Sequence, residues 1–255
     1  MTDKIPQIRV HNLAKSFGDK KVLDGLDLEL NKGESLVIIG GSGTGKSVLI
    51  KCILGLLPVD SGKITIRGQE LVGLSTSERQ RLLTRFGMLF QGGALFDSMT
   101  VAENIAFGLV QGMRVSKIDA RKIALEKLDA VDLSKSVADI YPAELSGGMQ
   151  KRVALARALA TNPDVIFFDE PTTGLDPIVS GTINDLIIRC VRDIGASAIT
   201  ITHDINSLRK IADRVGLLFN GKLIWTGTVK EMDKTDNPYV HQFINGLPDG
   251  PFTHG

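Results

Sequence analysis

The sequence predicts an α/β fold: a mostly parallel sheet covered by helices on both faces, with an antiparallel β-subdomain near the N-terminus and an inserted α-helical subdomain. Three observations predict it. Apolar runs of strand length, LVII (36–39), VIFF (165–168) and ASAITIT (196–202), are each followed by a stretch of helical character, the rhythm of βα units whose strands are buried on both faces. Nearer the N-terminus, IRV (8–10), LDLEL (26–30) and KITIRG (63–68) alternate or nearly alternate, as half-buried strands do. From about 92 to 160 strand signals vanish and helical spacing takes over.

The elements can be justified in order. After LVII the chain enters a glycine-rich stretch and then a helix beginning near Lys46, and FGMLF (86–90) reads as a further strand. In IDARKIALEKLDAV (118–131), Ile118, Ile123, Leu125 and Leu128 suit the apolar side of a helix, and Arg121, Lys122, Glu126 and Lys127 its wet side. A helix over about 178–194 follows VIFF, and DINSLRKIA (204–212) reads as another. VGLLFNGKLIW (215–225) predicts a hairpin turning at Asn220 and Gly221. The segment 237–255 is rich in Gly and Pro and is expected outside the core. There Tyr239, Val240, Phe243 and Ile244 fall on one side of a short helix ending at Gly246, an apolar stripe that either seeks a partner or packs on its own domain. The expected organisation is one domain over 1–255: a core from 1–91 and 161–236, a helical subdomain at 92–160, and a partner-binding tail at 237–255.

Composition narrows the function. The chain has 255 residues, 43% of them hydrophobic and 23% charged, an ordinary globular balance. A net charge of +1 gives no support to nucleic acid as a partner. Cys52 and Cys190, isolated on predicted helices, read as reduced core residues. The start, MTDKIPQIRV, has no apolar signal region, and no apolar run approaches the ~18 residues needed to cross a bilayer. Work at a membrane would therefore require separate membrane subunits.

The stretch LVIIGGSGTGKSVLI (36–50) carries the first chemistry. Gly40, Gly41, Ser42, Gly43, Thr44, Gly45, Lys46 and Ser47 meet the pattern G-x-x-x-x-G-K-[ST], after a strand and before a helix. Backbone N–H groups can surround a triphosphate only if side chains stay out of the way, and glycine permits the positive φ values that point successive N–H groups inward. The helix that follows offers its positive N-terminal end. Lys46 would reach the β- and γ-phosphates, and the Ser47 hydroxyl would ligate Mg²⁺. The next position, Val48, is given no role.

Asp169 and Glu170 end the apolar strand VIFF. Adjacent carboxylates there repel one another unless a cation is near, and neighbouring strand residues point to opposite sides, so the two should not share a job. Asp169 suits Mg²⁺, directly or through water, and Glu170 is then free to polarise an attacking water.

Four further pieces complete a pattern: LSGGMQ (145–150), FFDEPTTGLDP (167–177), Gln91 after FGMLF, and His203 in TITHD. In this order, and over nearly the whole chain, they resemble the signature sequence, the Walker B segment with its D-loop, the Q-loop and the switch histidine of ATP-binding cassette (ABC) ATPases. The resemblance implies a P-loop NTPase fold with a RecA-like sheet, and ATP and Mg²⁺ as cofactors. It implies Glu170, His203 and Lys46 as the catalytic set, and Ser47, Gln91 and Asp169 around the metal. Ser146, Gly147 and Gly148 precede a helix and, in this family, cap the γ-phosphate held by another subunit, so a head-to-tail homodimer with two ATP molecules is implied. Asp176 would lie at that interface, and Phe17 would stack on adenine. Two departures stand out: Met149 replaces the common glutamine, which puts a ribose contact there in doubt, and Phe17 replaces the commoner tyrosine.

FGMLFQGGALFDSMTVAENIAFGL (86–109) and FINGLPDGP (243–251) resemble ATPase subunits of the Mla family of phospholipid transporters. That likeness implies transport between inner and outer membranes, maintaining outer-membrane lipid asymmetry. It also implies integral permease subunits, a lipid-binding ring subunit, a small STAS-like cytoplasmic subunit, and a place at the cytoplasmic face of the inner membrane. The segment 90–105 would receive a permease helix, with Leu95, Phe96 and Met99 as apolar contacts. Importers of other solutes share the generic motifs. Soluble ABC ATPases acting on DNA or ribosomes usually carry tandem cassettes or long coiled coils, neither of which is present. A binding module without turnover would have no use for Glu170.

Overall fold

The structure, a computed structural model, describes residues 5–71 and 73–253. The first four residues of the N-terminal stretch and the last two of the 237–255 segment lie outside the described residues. In chain order the elements are β1 (Ile8–Phe17), β2 (Lys20–Leu30), β3 (Ser35–Ile39), α1 (Lys46–Ile53), β4 (Ser61–Ile66), β5 (Gln69–Glu70), α2 (Thr76–Leu83) and β6 (Phe86–Leu89). They continue with α3 (Val101–Phe107), α4 (Lys117–Ala130), α5 (Gly147–Leu159), β7 (Val165–Asp169), α6 (Pro177–Ile194), β8 (Ser197–Ile201), α7 (Ile205–Ile211), β9 (Arg214–Phe219), β10 (Lys222–Thr228), α8 (Val229–Met232) and α9 (Pro238–Asn245). The chain forms two compact units, one from Met1–Gly73 with Ile201–Gly255 and one from Leu74–Thr200.

In the first unit β1 lies between β2 and β4, antiparallel to both, and β5 completes this sheet. β1 and β2 run well beyond the segments whose alternation is visible in the sequence. The register slips between Val10 and Leu13, where Asn12 takes φ 48°, and such a bulge shifts which residues face inward, hiding the period of two. β3 pairs in parallel with β9, Val37 opposite Val215, and its residues Leu36, Val37, Ile38 and Ile39 are all buried, which is why this strand reads as a continuous apolar run. β9 and β10 form the expected hairpin, with positive φ at Asn220 (45°) and Gly221 (74°), as a two-residue type I′ turn requires.

The end of the chain differs from expectation. α9 starts on the Asn237 side chain, which accepts from Tyr239 N (3.0 Å) and Val240 N (3.3 Å), and stops at Gly246 in the left-handed conformation. The segment does not lie outside the core. Val240 is fully buried, and the rings of Tyr239 and Phe252 pack on Phe219 of β9 at centroid distances of 5.1 and 4.9 Å. Part of the apolar stripe is thus satisfied within the chain itself.

In the second unit β6 and β7 pair in parallel, Leu89 opposite Phe168, with β8 beside β7. Their apolar residues share a core with α3, α4, α5 and α6, built around Leu89, Val101, Ile105, Leu128, Val153, Phe168 and Ile183. The helix over 118–131 is present as α4, and its expected apolar side faces the core except at Ile118, with two alanines added to the buried face. Ala120, Ala124 and Leu128 are the buried residues, Ile123 and Leu125 are partly buried, and Ile118 is 73% exposed. Small alanines let α4 approach its neighbours closely, and a stripe of alanines is invisible to a search for bulky apolar residues. α2 was also hidden: it is nearly all polar, and only the reciprocal Ser75–Glu78 capping box announces it.

The packing gives a direct contrast. Leu128→Ala should lower unfolding free energy by about 2–5 kcal/mol, and Ile118→Ala should change it by less than about 0.5 kcal/mol, both read from urea unfolding curves.

Candidate functional site

In the first unit the glycine loop leaves β3 and enters α1. Gly45 is the N-cap of α1 at φ 102°, and no side chain caps the helix or adds an acid to its first turn. A Cβ on Gly40 would lie 2.3 Å from the Leu218 carbonyl oxygen, and one on Gly45 2.9 Å from that of Val22, so both positions require glycine by close approach. The Thr44 hydroxyl donates to Gly41 O (2.9 Å), and the Lys46 ammonium donates to Gly40 O and Gly41 O (2.8 Å each), closing the loop into a cradle. Ser42, Gly43 and Ser47 are exposed at its surface. This cradle fits a phosphate chain: it can offer backbone N–H groups and one ammonium, and at Gly40 and Gly45 the packing leaves no room for a side chain.

Two more candidates belong to this unit. The Thr202 N–H donates to Ile38 O (3.4 Å), which sets His203, exposed, at the end of β3 from which the glycine loop departs. Phe17 ends β1, 48% exposed, with the Lys15 ammonium 5.5 Å from its ring centroid. Asp60, which sequence reasoning missed, steadies this strand end. Its carboxylate accepts from Lys15 Nζ (2.8 Å) and Ser16 N (2.6 Å), and these two bonds, Lys15 first, hold its pKa below the usual carboxylate value.

In the second unit the parallel pairing of Leu89 with Phe168 puts Gln91 and the Asp169–Glu170 pair just beyond the same end of two adjacent strands. Glu170 takes φ 50°, a conformation uncommon outside glycine, and its Oε2 accepts from the Thr173 hydroxyl (3.0 Å). Ser146 is the N-cap of α5, its hydroxyl oxygen accepting from Met149 N (3.3 Å), and Ser146 and Gly147 are exposed. Asp176 caps α6 through Ile178 N (2.9 Å) and Val179 N (3.0 Å), and Gly148 lies close against Val179. The signature loop and the start of α6 therefore touch.

Two cations of α5 also escaped sequence reasoning. The Lys151 ammonium donates to Gln91 O, and the Arg157 guanidinium donates to Ala94 O and Gly93 O (2.6 Å each). Burial pushes the Lys151 pKa down, and the nearby Asp169 and Glu170 charges pull it back up. The available signal was a lysine four residues before Leu155, on the apolar side of the helix. Asn104, fully buried, donates to Phe96 O (3.0 Å), Met99 O (3.1 Å) and Thr100 O (3.1 Å) and accepts from Phe96 N (2.7 Å), so it shapes the 95–100 loop. Phe96, on that loop, stays 41% exposed, its ring 4.7 Å from that of Phe107.

Oxygen donors of the kind Mg²⁺ takes are present in each unit, the Ser47 hydroxyl in the first and the Asp169 carboxylate and Gln91 amide in the second. Among the described residues no group of three or more His, Cys, Asp or Glu side chains forms a self-sufficient metal site. That donor chemistry fits a Mg²⁺ ion that keeps waters and phosphate oxygens as ligands. The cradle itself is testable: Gly45→Ala should lose ATP binding and destabilise the protein by about 1–3 kcal/mol, measured by fluorescent-nucleotide titration and thermal unfolding.

Known proteins are similar to this chain in sequence and in fold. The ABC transporter family profile matches residues 23–173. An intermembrane phospholipid transport system ATP-binding protein, MlaF, of Haemophilus influenzae is 41% identical over 96% of this chain and 92% of its own length. The chloroplastic protein TRIGALACTOSYLDIACYLGLYCEROL 3 of Arabidopsis thaliana is 40% identical over 97% of this chain and 76% of its own. The dimeric structure of the ATP-binding cassette MJ0796 in a post-hydrolysis state, bound to ADP and Pi, superposes with a TM-score of 0.79 at 31% identity, covering 87% of this chain and 98% of that one. With the glycine cradle, the signature helix and the carboxylate pair in place, the chain belongs to the ABC transporter family, as an ATPase of that family.

Proposed function

We propose that this chain is the ATP-hydrolysing subunit that powers phospholipid transport between inner and outer membranes. The observation that carries the ATPase reading is that one chain presents two helix N-termini suited to phosphate, α1 behind the glycine cradle and α5 behind Ser146, in separate units. The phospholipid reading is supported by the identity to the Haemophilus protein over nearly the full length of both chains.

The residues divide the work. The N–H groups of 40–47 and the Lys46 ammonium hold the β- and γ-phosphates, and Phe17 offers an exposed ring for adenine. Ser47, Asp169 and Gln91 would hold Mg²⁺, which when bound neutralises phosphate charge. Glu170 orients the attacking water, and His203 contacts the γ-phosphate. Ser146, Gly147 and Gly148 cap the nucleotide of a second copy, and Asp176 stands at that interface. Ile178, beside Asp176 and 84% exposed, is an apolar side chain that such a partner would cover. Closing the pair on ATP and releasing it on hydrolysis supplies the motion.

No helix among the described residues is long and apolar enough to cross a membrane. Permease subunits would supply the span, docking on Leu95, Phe96 and Met99 and holding the chain at the cytoplasmic face of the inner membrane. A lipid-binding ring subunit and a small STAS-like subunit complete the proposed assembly, and nucleic acid has no part in it.

Glu170→Gln should keep ATP affinity, lower turnover by about 10²–10⁴-fold and elute as an ATP-dependent dimer in size-exclusion chromatography. Native turnover would remove Glu170 from its role. Membrane complexes isolated on this chain in mild detergent should contain a permease and bound phospholipid; a permease loaded with another solute would overturn the lipid reading.

A further inference from the structure

The loop that carries Gln91 is fastened to the helix that begins at Ser146. Residues 91–94 belong to no helix or strand, so their carbonyl groups lack ladder partners. Three of those carbonyls are met by side chains of α5: Gln91 O by Lys151, and Gly93 O and Ala94 O by Arg157 at 2.6 Å each. Lys151 is 7% exposed. A lysine is seldom so buried unless its ammonium has a partner, and an apolar side chain would fill the same space without the desolvation penalty. α5 continues unbroken from Gly147 to Leu159, so Lys151 is fixed relative to Ser146 by little more than one helical turn.

We propose that Lys151 is a positioning residue for Gln91: its buried ammonium ties the backbone of Gln91 to α5, so that the Gln91 side chain and the Ser146 end of the helix move as one piece. Arg157 pins the next turn of the same loop. A push on the 95–99 segment then reaches the metal-sensing amide and the signature serine together. This deepens the functional reading above and rests on the role assigned there to Gln91.

The test compares Mn²⁺ affinity, read by electron paramagnetic resonance with a non-hydrolysable ATP analogue, and kcat for ATP hydrolysis, across variants of the full chain. Lys151→Met should weaken Mn²⁺ binding and lower kcat by about tenfold or more, the scale of losing a residue that orients a metal ligand, with KM for ATP within about twofold. Lys151→Arg, which keeps a charged donor, should recover to within about threefold of native. The double variant Gln91→Ala, Lys151→Met should be no worse than Gln91→Ala alone, since a residue acting only through Gln91 adds nothing once Gln91 is gone. A purely structural lysine would lower the thermal midpoint and multiply with Gln91→Ala. If Lys151→Met does not fold, Lys151→Gln decides: it keeps an N–H donor and should bind Mn²⁺ within about threefold of native. Mn²⁺ binding as weak as that of Gln91→Ala would overturn the proposal. A native Lys151→Met beside a defective Gln91→Ala sinks this proposal alone. A native Gln91→Ala sinks the role of Gln91, and the proposal with it.

Discussion

A chain of phosphates carries more negative charge than any one side chain can offset, and bare backbone N–H groups at the start of a helix answer it only where the chain excludes its own side chains. The rest of the first unit is organised around that constraint. Gly40 and Gly45 sit where a Cβ would collide with the carbonyls of Leu218 and Val22, so β9 and β2 together press the loop into shape. The parallel pairing of β3 with β9 and the burial of Leu36 to Ile39 give the loop a rigid floor. Lys46 closes the cradle by bonding back to Gly40 and Gly41, which keeps its ammonium at the phosphate end of α1.

The second unit meets the opposite problem, adjacent carboxylates at the end of a buried strand. Its answer among the described residues is cationic. Lys151 stands near Asp169 and Glu170, and with Arg157 it also supplies donors to a loop that would otherwise leave carbonyls unsatisfied. Nearby, Asn104 hydrogen-bonds the backbone of Phe96, Met99 and Thr100, which leaves Phe96 presented on a shaped loop.

The glycine loop and the Asp169–Glu170 pair stand out in a single sequence because phosphate and metal chemistry restricts residue type at fixed spacing, and LSGGMQ stands out by its resemblance to a family signature. The βα rhythm was legible for the same kind of reason, since buried parallel strands must be apolar throughout. What escaped has a common cause too. Ala120 and Ala124, which share the buried face of α4 with Leu128, pack closely and carry no bulky signal, and β1 hides its length behind a bulge at Asn12. The packing of Tyr239 and Phe252 on Phe219 joins residues whose proximity depends on the tertiary fold, and no local pattern announces it. Lys151 and Arg157 look like ordinary helix charges until the carbonyls of 91–94 are seen to need them.

The central claim is that each nucleotide is held by Lys46 of one copy and Ser146 of the other. Mixing Lys46→Ala chains with Ser146→Arg chains tests it most directly. In a mixed pair one nucleotide site keeps both native residues and the other loses both. ATP hydrolysis should therefore reappear on mixing two preparations that are each inactive. If the mixture stays as inactive as its components while mixed pairs demonstrably form, the two residues serve the same nucleotide within one chain and the account is wrong.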